Sequence, residues 1–162
     1  MNLQTLFLGF LGTGRLPKPG ISASFLATVI ALGLLQVLGM ETLFMLSFVI
    51  TVISIFEVNK YVAKYPESDG EEITVDDAIG MWLSLMVSLS TASTLPVPYA
   101  LWIGTLLAFA SFTLFQTWKP STIGWMRRTL KGGLGIVLSS VLSGIAGGLL
   151  SAIVLMGLER LL

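Results

Sequence analysis

The chain has 162 residues, 54% of them hydrophobic and only 11% charged, with nine basic side chains balancing nine acidic ones. A soluble domain carries about 25% charged residues, so this composition describes an integral membrane protein, organised as one domain over residues 1–162. Zero net charge gives no general attraction to nucleic acid, and the lack of cysteine and histidine excludes disulfides, thiolate or imidazole metal sites, and Ser-His chemistry.

Residues 1–12, MNLQTLFLGFLG, have no basic n-region and no A-x-A-like site after them, so a retained N-terminal segment is expected rather than a cleaved signal. The stretch GTGRLPKPGISAS, residues 12–24, is a Gly/Pro-rich turn bearing Arg15 and Lys18, with Ser22 as a candidate helix N-cap. It is not a Walker A loop, because it lacks the G-K-[ST] ending. Five apolar segments follow, at 21–38, 42–56, 78–95, 99–118 and 134–158. A spanning helix needs about 20 residues, which four of them reach; the second is short, but Lys60 can snorkel back to the interface. The third is rich in Ser and Thr, which suits a helix facing other helices or a polar cavity, or a re-entrant segment. Gly39, Pro96, Pro98, Pro120 and the Gly132–Gly133–Gly135 cluster punctuate the spaces between.

With the N-terminus inside, the inner segments hold Arg15, Lys18, Lys60, Lys64, Lys119, Arg127, Arg128 and Lys131, and the outer ones hold only Arg160. Eight basic residues against one is a strong positive-inside bias, so an all-α helical bundle of about five membrane segments with a cytoplasmic N-terminus is expected. Every distinctive polar motif then lies at one membrane face. Ala23, Ala27 and Ala31, and the GxxxG of Gly144 and Gly148, are small residues at the spacing that lets helix backbones approach, as expected for packing within the bundle. A homo-oligomer is compatible with this pattern but has no support of its own.

Hydrolytic chemistry in such a chain rests on carboxylates, Lys, Arg, Ser, Thr or a hard oxygen-bound metal. In EEITVDDAIGMW, residues 71–82, Asp76 and Asp77 open the third segment. They read either as acidic residues favoured by a helix dipole or as ligands for Mg²⁺. In TWKPSTIGWMRRTLKGGLG, residues 117–135, Lys119, Arg127, Arg128 and Lys131 precede a glycine turn. Basic residues here set topology and touch anionic lipid, and Trp118 and Trp125 suit an aromatic belt. A Gly-Gly-x-Gly turn is more than topology needs, and its amides suit a phosphorylated head group.

Together these clusters resemble the phosphatidylglycerophosphatase A family of bacterial inner-membrane enzymes, over nearly the whole chain. The family carries G-S-G…P-G-T-x-G-S, of which this chain keeps Gly12, Gly14, Pro19, Gly20 and Ser24, with Ile21 and Ala23 for the Thr and Gly. Of D-E-x-x-G-M-W it keeps Asp76, Gly80, Met81 and Trp82, with Asp77 for the Glu. Of D-x-W-K-P it keeps Trp118, Lys119 and Pro120, with Gln116 for the Asp. Of G-G-x-G-[IV]-M-x-D-D it keeps Gly132, Gly133 and Gly135, with Ser139 and Ser140 for the paired Asp.

The resemblance implies Mg²⁺-dependent hydrolysis of phosphatidylglycerophosphate to phosphatidylglycerol and phosphate, at the cytoplasmic face of the inner membrane. It implies catalytic roles for Asp76, Asp77 and Lys119, with Asp76 and Asp77 holding the metal. Lys119, Lys131, Gly132, Gly133, Gly135, Arg15 and Lys18 would bind phosphate. The neutral residues at 116, 139 and 140 imply impaired hydrolysis. The alternative is a non-catalytic relative that folds and binds anionic phospholipid. A transporter or channel subunit fits less well, because the apolar segments hold no ionisable residue and show no inverted repeat.

Overall fold

The computed structural model describes residues 3–67, 73–118, 121–130 and 132–161. Among the described residues all regular structure is helical: α1 (Leu3–Leu8), a 3₁₀ turn (Thr13–Arg15), α2 (Pro19–Val37), α3 (Met40–Lys64), α4 (Val75–Ala92), α5 (Ala100–Trp118), α6 (Ser121–Thr129) and α7 (Gly132–Leu161). Each of the five apolar segments is one of the long helices, as an all-α membrane bundle requires. Four of these, α2, α3, α5 and α7, are long and apolar enough to cross a membrane. Their outward faces carry Phe25, Phe44, Phe48, Phe56, Trp102 and Leu106, all exposed, as suits contact with lipid.

The fifth, α4, is the axis of the bundle. It is a continuous helix rather than a re-entrant loop, and 14 of its 18 residues are buried. It packs against α2, α3, α5 and α7. Its serines face other helices: Ser84 donates to Ala108 O at 3.2 Å, and Ser88 donates to Gly104 O at 2.7 Å while lying 2.6 Å from Ser151 Oγ. Hydroxyls used this way hold helices together where lipid gives no hydrophobic drive between them. Ala23, Ala27 and Ala31 are fully buried, which brings α2 close enough for Trp82 Nε1 to donate to Ala27 O at 2.8 Å. The GxxxG of α7 is likewise spent inside the bundle. A Cβ on Gly144 would strike the Gly80 backbone of α4, and one on Gly148 would come within 2.7 Å of Val87 Cβ.

Three local expectations change. The second segment is not short: α3 runs 25 residues to Lys64. Its charged tail stays helical because Lys60 pairs with Glu57 at 2.9 Å, one turn away, while Val58 is buried. Ser22 is not the cap of α2, because Lys18 holds that position with Pro19 following it. Proline suits the first helical turn, where its missing N–H has no partner to lose. Ser22 is already in the helix, its N–H donating to Lys18 O at 3.0 Å. The amphipathic α6, between Pro120 and Lys131, was not expected as a helix.

The chain before α2 is tied to the start of α4. Phe10, Leu11 and Gly12 turn through left-handed backbone, with φ of 38°, 58° and 95°. Thr74 N–H then donates to Leu8 O at 2.8 Å, and the Thr13 and Thr74 hydroxyls meet at 2.9 Å. The starts of α2, α4 and α7 and the ends of α3 and α5 therefore gather at one end of the bundle, and the candidate site lies there.

Candidate active site at a buried acidic pair

Asp76 and Asp77 occupy the first turn of α4, where the helix dipole favours negative charge. Both are buried, at 2% and 6% exposure. Gln116, near the end of α5, donates through Nε2 to Asp77 Oδ1 at 2.8 Å and to Ser140 Oγ at 2.7 Å. Ser140, two turns into α7, donates in turn to Asp76 Oδ2 at 2.5 Å. Four residues from three helices thus form one hydrogen-bonded network. The close approach of α7 to α4 depends on Gly80, where a Cβ would come within 2.6 Å of Ser140 O.

The network borders a cavity of about 370 Å³, lined by Asp76, Asp77, Thr113 and Gln116 together with Lys18, Gly20, Ser24 and Arg127. Gly20 brings the first turn of α2 beside the acids, since a Cβ there would sit 3.2 Å from Asp77 Oδ2. Two oxygens on this wall, Gln116 Oε1 and Thr113 Oγ1, are buried without a hydrogen-bond partner among the described residues. Two carboxylates, with hydroxyl and amide oxygens on the neighbouring Thr113 and Gln116 side chains, offer hard donors. Mg²⁺ is commonly held by one or two carboxylates, with waters and substrate phosphate completing its octahedron, so these residues fit such an ion. No group of three or more acidic side chains capable of holding a metal occurs among the described residues. The electrostatic attraction for a cation is correspondingly smaller than a fully acidic set would give.

The remaining sequence candidates sort differently. Lys18 lines the cavity. Arg15 lines a neighbouring cavity of about 260 Å³, which shares Ile73 with the first. Gly132, Gly133 and Gly135 do not line either one. Gly133 N–H donates to Asn59 Oδ1 at 2.7 Å, so a side chain of α3 caps the first turn of α7. A Cβ at Gly133 would strike Ile55 O, and one at Gly135 would strike Leu130 O. These glycines permit close packing of α7 on α3 and on the segment after α6, and the Gly133 amide is already engaged by Asn59. Ser139 also parts company with Ser140. It is fully buried and donates to Ile136 O of its own helix at 2.9 Å. Lys119 and Lys131 lie outside the described residues. Thr113 was not singled out for this site, and Arg127 was named only within the basic cluster at 117–135, not beside the acidic pair. The signal for Thr113 was its position one turn before Gln116 on the same helix face.

The model of the family described as phosphatidylglycerophosphatase A matches residues 6–155. The chain belongs to this family. Membership places it among phosphatases, phosphoric monoester hydrolases, and agrees with the resemblance carried by the four motifs. A phosphatidylglycerophosphatase A of Haemophilus influenzae is 27% identical over 144 residues, covering 88% of this chain and 82% of that protein. The Escherichia coli protein of the same name is 32% identical over 77 residues, 48% of this chain and 40% of its own length. A Bacteroides thetaiotaomicron protein, provisionally named a phosphatidylinositol-3-phosphatase, is 27% identical over 147 residues, 88% of this chain and 87% of its own. No solved structure matches the chain.

Proposed function

We propose that this chain hydrolyses the terminal phosphomonoester of phosphatidylglycerophosphate, giving phosphatidylglycerol and inorganic phosphate, from the cytoplasmic face of a bacterial inner membrane. The observation that carries this reading is the hydrogen-bonded network of Asp76, Asp77, Gln116 and Ser140, of which Asp76, Asp77 and Gln116 line a cavity that also presents Lys18 and Arg127. The two cations are suited to binding phosphoryl oxygens, Arg127 by a bidentate fork and Lys18 as a point charge. Asp76 and Asp77 would hold Mg²⁺, with Gln116 Oε1 and Thr113 Oγ1 as neutral ligands on the same wall. When bound, the ion would polarise the phosphoryl group and neutralise charge that develops on it. Lys119 and Lys131 remain proposed phosphate contacts, from their place in the family motifs.

A lipid substrate is favoured by a second feature. An outward groove of about 680 Å³, lined by Leu11, Leu16, Ile21, Phe25, Leu26 and Phe109, shares Ile21 with the acidic cavity. A phospholipid whose acyl chain lies in this apolar groove has its head group directed to the charged end. The positive-inside bias supports the cytoplasmic assignment of that end.

A second reading, of a non-catalytic phospholipid-binding relative, is favoured by one observation: Gln116 and Ser140 already satisfy one oxygen of each carboxylate. Phosphate release from phosphatidylglycerophosphate by the purified protein with Mg²⁺ decides between them. Turnover that disappears in Asp77→Asn establishes the phosphatase reading. Background release by the wild type, with turnover in Gln116→Asp/Ser140→Asp, establishes the second.

A further inference from the structure

We propose that Gln116 is an internal latch on the acidic pair, and that a divalent cation enters only when its side-chain amide turns over. The inference rests on the metal site proposed above and concerns what this chain's own residues do before the ion arrives. One amide nitrogen donates to both Asp77 Oδ1, at 2.8 Å, and Ser140 Oγ, at 2.7 Å. Ser140 passes the contact on to Asp76 Oδ2 at 2.5 Å. The Gln116 amide thus supplies N–H donors to the acidic network, and each carboxylate accepts a hydrogen bond within it. The other end of the same amide, Oε1, is buried with no hydrogen-bond partner among the described residues.

That asymmetry gives the latch two states. The nitrogen and oxygen of a glutamine amide are nearly the same size, and its terminal torsion is broad and roughly two-fold. A half-turn exchanges them with little change in packing. With Nε2 inward, the acids are hydrogen-bonded and the site is closed to cations. With Oε1 inward, the carbonyl would repel Asp77 unless a cation lay between them, and it would then serve as a hard ligand. The cation must displace two hydrogen bonds to a charged network before it gains this ligand. Its affinity is therefore set by Gln116 as well as by the carboxylates. Ser140 is a positioning residue in this scheme, carrying the latch from Asp77 to Asp76.

The chain has three glutamines, Gln4, Gln36 and Gln116, so glutamine-selective ¹⁵N labelling gives three side-chain amide pairs, and Gln116→Glu assigns the relevant one. In detergent micelles without divalent cation, the Gln116 amide protons should exchange with solvent at least about tenfold more slowly than those of exposed Gln36. Mg²⁺ should move the Gln116 resonances and speed their exchange by a similar factor, with the same midpoint as the Mg²⁺-induced shift in melting temperature. A Mg²⁺-induced melting shift that leaves the Gln116 resonances in place overturns the proposal. So does fast exchange of these protons in the cation-free protein, or the lack of any response to Mg²⁺ up to 20 mM. Mg²⁺-dependent phosphate release with an unmoved amide would sink the latch and leave the phosphatase reading intact. A moving amide without phosphate release would do the reverse.

Discussion

Replacing Gly144 by alanine tests the packing that places the candidate site's acidic network. A Cβ at this position would lie 2.8 Å from both Cα and C of Gly80 and closer still to its carbonyl oxygen. The obstacle is backbone, so no rotamer change relieves it, and α7 has to move away from α4. Gly157 is the matched control in the same helix, because a Cβ there meets nothing within 4 Å. Alanine gains roughly 1 kcal/mol over glycine in helix propensity in water, and less in a micelle, where the unfolded state keeps its helices. Gly157→Ala should therefore be neutral to slightly stabilising. Overpacking costs about 1–3 kcal/mol, and a rigid obstacle puts Gly144→Ala near the upper end. The gap between the two variants should be about 2–3 kcal/mol in reversible unfolding of the purified protein in mixed micelles. Ser140 lies one turn before Gly144, so moving α7 also lengthens the 2.5 Å contact to Asp76, and phosphate release should fall with stability. Stabilities of Gly144→Ala and Gly157→Ala within about 0.5 kcal/mol of each other would refute the close approach of α4 and α7.

Asp77→Asn should lower phosphate release by about 100-fold or more, the scale of losing one group that stabilises transition-state charge, while the melting temperature changes little. Arg127→Ala should raise KM about tenfold with a smaller change in kcat, as expected when one charge-assisted contact to a bound phosphate is lost; an unchanged KM would remove Arg127 from the site. Asn59→Ala deletes the cap that α3 supplies to Gly133 N–H and should cost about 1 kcal/mol of stability. The chain has no cysteine, so Glu67→Cys gives a single label site just beyond α3; an impermeant maleimide should reach it only in inverted vesicles, and labelling in right-side-out vesicles would reverse the orientation.

The long helices were legible because apolar runs bounded by Gly and Pro have few other outcomes in a membrane. The tail of α3 was not, because VNKYVAK has the polarity of a loop, and its helicity rests on a local ion pair and a buried Val58. Asp76 and Asp77 were legible from their motif. Their partners were visible only as departures from a pattern, since Gln116 and Asp77 are 39 positions apart and Ser140 and Asp76 are 64 apart. No spacing rule reaches across such distances. The glycine turn is ambiguous in another way. A missing Cβ serves an anion and a neighbouring helix equally well, and the sequence carries no mark of which one is close. At Gly133 the helix is close: on α3, the carbonyl of Ile55 occupies the space a Cβ would fill and the side chain of Asn59 engages its N–H.

The same ambiguity does not extend to residues 116 and 140, because hydrogen-bond inventory constrains them. Two ionised carboxylates in adjacent positions offer acceptors only, and like charges buried near each other are mutually unfavourable. A buried pair needs donors or cations. Aspartates at 116 and 140 would add acceptors at the positions that now supply donors, so such a site needs metal for its own stability. Gln116 and Ser140 supply two N–H or O–H contacts to the carboxylates and one to each other. The exchange removes two negative charges and adds donors to the pair in one step. Under the proposal above, the stability of the buried pair would be separated from the occupancy of a metal, and the amide that does this would lie on the path of the ion.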